Sequence, residues 1–259
     1  EISKGLVGSE MCIRDRDGHE NLLGARICLF SLPGVGNIGK AGIDALNSTN
    51  DAIEIARLHH TALPPLATLD EDGLLSPPHL SIKGIALESG EYILTITGSS
   101  QPLEPNNQGA MAREILTLLQ KYKISELIVL AGMIDEAARK EIFIVPSSSS
   151  YRVDLESRGA NVRRDEPSSG AIGLAALLSS LGPVYQINSA CAIATTVGAS
   201  GDIIASQKLL SSIDEWFSLN LVIPKDANEK LVKKLKQISP QKQEDLVSEL
   251  VQGHDAFYM

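Results

Sequence analysis

The chain has 259 residues, of which 43% are hydrophobic and 21% are charged. This composition is that of an ordinary globular protein, and it excludes a disordered, collagen-like or coiled-coil chain. The net charge of −9 and the aromatic content of only 4% argue against a nucleic-acid binder, which needs a basic surface and stacking side chains. They also argue against a peripheral membrane protein, which needs a cluster of Lys and Arg.

The first sixteen residues have no apolar periodicity, no initiating Met and no signal-peptide core. They resemble a translated sequencing adapter, so residues 1–16 are predicted to be non-native and the native start to be missing. Cys12, Cys28 and Cys191 are too scattered for a disulfide scaffold, which favours a reducing, cytoplasmic setting. Residues 167–201 contain no charged side chain, but Gly182-Pro183 interrupts them, which predicts a buried helix and then a buried strand.

The first half of the chain alternates strand-length apolar runs with a helical segment. The predicted elements are a strand at residues 26–30, a glycine-rich turn, a short helix to about residue 46, and a strand at 52–58. Residues 61–79 are rich in proline and acidic side chains, which predicts an extended loop. Residues 80–87 and 92–97 flank a turn sequence and are predicted to form a hairpin.

The second half continues the alternation. The predicted elements are helices at residues 108–122, 151–158, 169–181 and 203–219 and strands at 127–131, 142–145 and 184–187. Alternating strands and helices favour a three-layer α/β/α sandwich over residues 17–222. Beyond it, two short amphipathic segments at 226–238 and 241–252 predict a helical extension over residues 223–252. Residues 253–259 are expected to be a flexible tail ending in Phe257-Tyr258-Met259.

Glycines follow the first predicted strand in the pattern GxGxxG, formed by Gly34, Gly36 and Gly39. In a dinucleotide site, such glycines let the backbone approach a pyrophosphate at a helix N-terminus. That site also needs an acidic residue at the end of the second strand, about 20 positions later. Here the second strand ends in Arg57-Leu58-His59-His60, and Glu54 comes too early. A tight turn is therefore favoured, and cofactor binding is kept as the alternative.

The other chemically capable residues form no recognisable catalytic or metal-binding set. His59 and His60 point to opposite faces if they lie in a strand, and neither they nor His79 has a Cys or carboxylate at ligand spacing. Cys28 and Cys191 lie in apolar runs and are predicted to be core residues. The sequence thus predicts no catalytic residue, no metal and no cofactor.

Several stretches together resemble the proteasome assembly chaperone 2 family in its archaeal-type, single-chain form. They are LPGVGNIG (32–39), LPPLATLDEDG (63–73), GSSQP (98–102), ELIVLAG (126–132) and SGAIGLAALL (169–178). The chain departs from the family pattern at residues 133–141 (MIDEAARKE) and 195–202 (TTVGASGD). The resemblance implies a nucleoside phosphorylase-like fold and a non-enzymatic chaperone of proteasome assembly, or an adaptor on the core particle.

The resemblance also gives the tail a role. It implies that Phe257, Tyr258 and Met259 form a hydrophobic-Tyr-X (HbYX-like) end that docks between α-subunits of the proteasome core particle. It implies a homo-oligomer that presents several tails, with no nucleic-acid or membrane partner. The alternative is a nucleotide- or dinucleotide-binding enzyme of the ATP-grasp-like or Rossmann-like type that uses the turn at residues 34–39.

Overall fold

A computed structural model describes residues 11–15 (backbone alone), 22–69, 73–102, 104–168, 170–198 and 201–223. Within these residues, one large sheet carries helices on both faces. The predicted helices at 226–238 and 241–252, and the predicted tail at 253–259, lie outside the described residues.

The elements follow the alternation expected from the sequence. In chain order the strands are β1 (Met11–Asp15), β2 (Ile27–Ser31), β3 (Ile53–His60), β4 (Thr68–Leu69), β5 (Leu75–Ser76), β6 (Leu80–Ala86), β7 (Tyr92–Gly98), β8 (Glu126–Ile134), β9 (Ile142–Pro146) and β10 (Asn188–Thr196). The α-helices are α1 (Ile38–Thr49), α2 (Pro105–Lys121), α3 (Ser149–Ser157), α4 (Leu174–Leu181) and α5 (Ile203–Phe217).

The main sheet has eight strands in the order β1-β3-β6-β7-β2-β8-β10-β9. The four central strands, β7, β2, β8 and β10, are parallel, and the other neighbours pair antiparallel. Because β3 is antiparallel to β6 and β6 to β7, β3 runs in the same direction as the central strands. The carboxyl ends of these five strands therefore share one side of the sheet, here named the carboxyl edge.

Alternating side chains on the strands divide the core into two halves. On β8, Leu127 and Val129 belong to one apolar cluster, and Ile128 and Leu130 belong to the other. Helices α2 and α4 contribute to the first cluster, and α1, α3 and α5 contribute to the second. The predicted α/β/α sandwich is confirmed, while its likeness to nucleoside phosphorylases stays a prediction.

Two predictions around α4 are wrong. The strand predicted at 184–187 is a 3₁₀ turn over Gly182–Tyr185, and the real strand, β10, begins at Asn188. The helix predicted from residue 169 begins at Leu174, because Gly170 and Gly173 have φ values of 77° and 98°, outside the helical region. The sequence analysis misplaced β10 because Ile193 is the one large branched side chain in a strand otherwise built from Asn, Ala, Ser, Cys and Thr.

The predicted extended loop at 61–79 contains a short ribbon, with Thr68 paired to Ser76 and Leu69 to Leu75. The backbone of β1 pairs with β3 at the free edge of the sheet, although the sequence analysis left residues 1–16 out of the fold. An edge strand offers unpaired N–H and C=O groups to any extended segment. This pairing does not test the origin of residues 1–16, and their non-native character stays a prediction.

Candidate functional site

At the carboxyl edge, the neighbouring strands β2 and β7 are followed by helices on opposite faces of the sheet. Strand β2 leads into α1 on one face, and β7 leads to α2 on the other. In open α/β sheets, such a switch point is where ligands usually bind. The glycine turn that begins α1 lies at this point, so it is the first place to look for a cofactor site.

The glycines of the turn serve contacts within the chain. A Cβ on Gly39 would lie 2.8 Å from the carbonyl carbon of Leu130, so only glycine lets α1 approach β8 this closely. Gly36 has a φ of 60°, and its carbonyl oxygen accepts hydrogen bonds from the backbone N–H groups of Gly201 and Asp202 at 3.2 and 3.1 Å. Gly34 is extended. These contacts favour the tight-turn interpretation for Gly36 and Gly39.

Lys40 is a chemically capable residue that the sequence analysis missed. Gly34, Gly39 and Lys40 have the spacing of a phosphate-binding loop, GxxxxGK, although Ala41 stands where that loop has Ser or Thr. Lys40 is only 7% exposed, and its Nζ lies 2.6 Å from Oδ2 of Asp44. Because Asp44 is one turn further along α1, this ion pair directs the ammonium group away from the glycine turn.

These contacts predict that nucleotides do not stabilise the protein. We expect neither NAD nor ATP to raise the Tm, since a ligand of the folded state must raise it with concentration. Differential scanning fluorimetry over a ligand titration measures this directly. A concentration-dependent rise that the Lys40→Ala variant lacks would instead assign a nucleotide site to the turn.

The histidines are held by local contacts. His59 and His60 face opposite sides of β3, as predicted: Nδ1 of His59 lies 3.2 Å from the carbonyl oxygen of Pro78, whereas His60 is buried. Nδ1 of His60 accepts the N–H of Ala62 at 2.8 Å, and its Nε2 lies 3.5 Å from Oε2 of Glu114. Among the described residues, no group of three or more His, Cys, Asp and Glu side chains could hold a metal.

Cys28 and Cys191 are buried, as predicted for core residues. Burial raises the pKa of the Cys28 thiol well above its usual value and raises the pKa of Cys191 to about 12. Both thiols are therefore protonated at neutral pH, and a protonated, buried thiol is a poor nucleophile.

An apolar ribbon projects its leucines into solvent beside the carboxyl edge. Ser76 is buried, with its hydroxyl 3.5 Å from Nη1 of Arg57, so one face of the ribbon rests on β3. Leu69 and Leu75 lie directly opposite each other on the other face and are 69% and 75% exposed. Together with exposed Leu66 and Leu74, they form a surface that we name the leucine ribbon.

A second apolar surface lies where β8 and β10 end. Ile134, Val197 and Ile204 are all exposed there, and we name them the aliphatic patch. Val197 and Ile204 line a cavity of about 270 Å³ at this end of the sheet, and Lys140 and Lys208 lie on its rim. Exposed aliphatic clusters of this kind commonly mark surfaces that bind another protein.

Arg139 joins three carboxylates in the segment that departs from the family pattern. Its guanidinium donates to Oδ2 of Asp135, Oε2 of Glu141 and Oε1 of Glu166, each at 2.8 Å. The hydrogen bond from Arg139 is the main cause that holds the pKa of Glu141 below its usual value. Glu166 borders a groove of about 890 Å³ beside α4. Its hydrogen bond with Arg139 therefore connects this side of the groove to the loop after β8. We name these four residues the Arg139 cluster.

A comparison of this chain with models of known protein families shows which family it belongs to. The family model described as the PAC2 family matches residues 29–243, which is most of the chain. The chain belongs to the PAC2 family. No curated protein matches this PAC2 chain.

Solved structures with the same fold include two proteins of Pyrococcus furiosus. PbaB, described as an archaeal proteasome activator, has a TM-score of 0.73 and 18% identity, covering 93% of this chain and 99% of PbaB. PbaA, described as an archaeal homolog of proteasome-assembly chaperone, has a TM-score of 0.70 and 21% identity, covering 93% and 98%. Rv2125 of Mycobacterium tuberculosis, a proteasome-assembly chaperone homologue, has a TM-score of 0.60 and 14% identity, covering 88% and 96%.

At sequence identities of 14% to 21%, the structural similarity shows that the PAC2 chain shares its fold with these three proteins.

In the part of the chain that the structure describes, no helix combines the length and apolar character needed to cross a bilayer. Phe257, Tyr258 and Met259, predicted to bind the proteasome, lie outside the described residues. Gly34, Gly36 and Gly39 lie at the turn from β2 into α1, where the sequence predicted a tight turn.

Proposed function

We propose that this PAC2 chain is a non-enzymatic chaperone of proteasome assembly, or an adaptor on the core particle, that works in the cytoplasm as a homo-oligomer. Membership of the PAC2 family supports the proposal, and so do the descriptions of PbaB, PbaA and Rv2125, which all concern the proteasome. The observation that carries it is the match of the PAC2 family model over residues 29–243. The proposal takes Phe257-Tyr258-Met259 as the hydrophobic-Tyr-X tail. In the proposal, this tail enters pockets between α-subunits of the core particle.

The chemistry of the three residues suits such a pocket. The rings of Phe257 and Tyr258 bury apolar area, and the tyrosine hydroxyl offers one hydrogen bond. A terminal carboxylate on Met259 can pair with a lysine of the ring, a charge-assisted contact. Three residues alone bind weakly, so an assembly that presents several tails gains affinity through effective concentration.

The contacts at the carboxyl edge support an adaptor over the nucleotide-binding alternative. Gly39 packs on β8, and Lys40 is paired with Asp44, so both are engaged within the chain. The proposal requires no catalytic group, since binding alone accomplishes what an adaptor does.

Deleting residues 257–259 is expected to weaken binding to purified proteasome core particles by at least about tenfold, because aromatic anchors often contribute about 2 kcal/mol or more at interfaces. The full chain and the truncated chain would be compared by co-purification and by surface plasmon resonance. The Tm should not change.

Two variants of the same tail control for unspecific effects. Asp255→Ala should bind as the full chain does, and Tyr258→Phe should lose only the contribution of the hydroxyl group. Equal binding by the full and the truncated chain would refute the tail assignment.

A further inference from the structure

A short segment forms one wall of the groove beside α4. Residues 164–168 all border this groove, whose volume is about 890 Å³, and we name them the flap. Just before the flap, the backbone N–H of Arg163 donates to the carbonyl oxygen of Ile144 in β9 at 3.1 Å. After it, α4 begins at Leu174. The flap therefore spans the gap between the edge strand of the sheet and a core helix.

The flap belongs to no helix and no strand. Within the described residues, its backbone makes one hydrogen bond to backbone, a local one from the N–H of Gly170 to the carbonyl oxygen of Pro167 at 3.0 Å. Arg164, Asp165 and Ser168 are exposed. A segment with few backbone bonds and little buried apolar surface opens at low cost. Its position must therefore depend on side-chain contacts.

Two ion pairs hold the flap, and they differ in quality. Arg164 pairs with Glu156 at 2.7 Å, but these side chains are 64% and 38% exposed, and such pairs contribute little. Glu166 instead accepts two hydrogen bonds from Arg139, from Nη1 to Oε1 at 2.8 Å and from Nη2 to Oε2 at 2.5 Å. Bidentate pairs of this kind are strong and directional. Glu166 is thus the main anchor of the flap.

Arg139 is held in place by groups outside the flap. Its guanidinium also donates to Asp135 and Glu141 of the Arg139 cluster. The hydroxyl of Thr195 in β10 donates to the carbonyl oxygen of Arg139 at 2.9 Å and accepts the backbone N–H of Glu141 at 2.8 Å. Arg139 therefore keeps its position on the sheet when Glu166 lets go of it.

The far end of the flap leads to a glycine that leaves room for movement. Gly170 has a φ of 77°, and a Cβ built on it would meet no atom within 4 Å. Glycine adopts both signs of φ at little cost, so the chain can pivot there without a clash. The flap thus has a fixed end at Arg163, a pivot at Gly170 and the Glu166–Arg139 pair between them.

The floor of the groove is apolar and shielded. It includes Cys191 and Ile193 of β10, which are only 4% and 1% exposed, and Ala176 and Leu177 of α4 lie beside them. Moving the flap away widens the groove over this floor. The thiol of Cys191 can report this movement, because a buried, protonated thiol reacts slowly until it is exposed.

We propose that the flap is a hinged lid on this groove and that the Glu166–Arg139 ion pair is its latch. With the latch closed, the flap walls off the apolar floor, and with the latch open, the floor becomes accessible from solvent. The inference goes beyond the proposed function and does not depend on the tail.

Thiol labelling tests whether the floor opens without unfolding of the whole protein. In a Cys12→Ser chain, N-ethylmaleimide would label Cys191 and Cys28, and mass spectrometry of peptides would give a rate for each. Cys28 lies in a central strand with 0% exposure and reports global unfolding. We expect Cys191 to react at least about tenfold faster than Cys28, because local opening costs less than global unfolding.

Two matched substitutions test the latch. Glu166→Gln should raise the labelling rate of Cys191 about fivefold, because it removes the charge from a bidentate pair. Glu156→Gln makes the same chemical change at the exposed pair and should leave the rate within about twofold of the parent.

Salt gives an independent readout of the latch. The Debye length falls from about 10 Å at 0.1 M to about 3 Å at 1 M ionic strength, which weakens a partly exposed ion pair. The labelling rate of Cys191 in the parent chain should therefore rise with NaCl over this range. In Glu166→Gln it should stay nearly constant.

Three results would overturn the proposal. The first is equal labelling of Cys191 and Cys28 in the parent chain, which would mean that the floor is exposed only by global unfolding. The second is an equal effect of Glu166→Gln and Glu156→Gln. The third is faster hydrogen exchange in α4 but not in residues 164–168 of Glu166→Gln, which would assign the movement to the helix. Deleting residues 257–259 should leave labelling unchanged, so failure of the lid and failure of the tail proposal are distinguishable.

Discussion

Replacing Gly39 with alanine is expected to lower the free energy of unfolding by about 3 kcal/mol, since overpacking against fixed backbone leaves little room to relax. The added Cβ would lie 2.8 Å from the carbonyl carbon of Leu130 and also inside contact distance of its oxygen and of the Ser31 hydroxyl. Either α1 must move off β8 or the central strand must shift. Urea denaturation followed by circular dichroism measures the loss.

A second glycine of the same helix is the matched control. A Cβ on Gly42 would lie 3.5 Å from Cγ of Leu210, which is an ordinary van der Waals contact. Gly42→Ala should therefore stabilise the protein by about 0.5–1 kcal/mol, because alanine loses less conformational entropy in a helix. A Gly39→Ala variant that is as stable as the parent chain would disprove the close approach of α1 to β8.

Replacing Arg139 with methionine is expected to destabilise the fold by about 1–2 kcal/mol, between the values typical of exposed and of buried ion pairs. The substitution keeps much of the apolar stem but leaves Asp135, Glu141 and Glu166 close together without their shared cation. Thermal and urea unfolding would measure the change. Arg164→Met is the control, because Arg164 is largely exposed and, among the described residues, pairs with Glu156 alone. A similar loss in both variants would argue against a special role for the Arg139 cluster.

The effect of Arg139 should also depend on pH. Its hydrogen bond to Glu141 lowers the pKa of that carboxyl below 4.5, so the ionised form favours the folded state. This contribution is present above about pH 4.5 and is lost as the pH falls through the lowered pKa. The difference in stability between the parent chain and Arg139→Met should therefore be largest near pH 7 and should shrink toward pH 3. A difference that is constant over this range would contradict the assignment.

The layers of the fold could be predicted because the strands β2, β6, β7 and β8 are rich in branched apolar residues with strand periodicity. The strand predicted at 184–187 ends just before β10 begins at Asn188, because a largely buried strand next to two helices is built here mostly from small side chains. Its position depends on close packing between layers, which has no local sequence signal.

The candidate site was predictable only in part. The turn of Gly34, Gly36 and Gly39 lies where the sequence placed it, but its closeness to Leu130 depends on residues almost a hundred positions apart. Lys40 could have been found from its spacing to Gly34, whereas its pairing with Asp44 could not. The leucine ribbon was predicted as a loop, since proline-rich flanks hide its two short strands.

The last described residues of the chain are anchored beside the end of α1. Val222 exchanges hydrogen bonds with the side chain of Asn50, which caps the far end of α1 beside the start of β3. This anchor lies on the side of the sheet opposite the carboxyl edge. The last described residues and the three surfaces at the carboxyl edge (the glycine turn, the leucine ribbon and the aliphatic patch) therefore lie at opposite ends of the central strands.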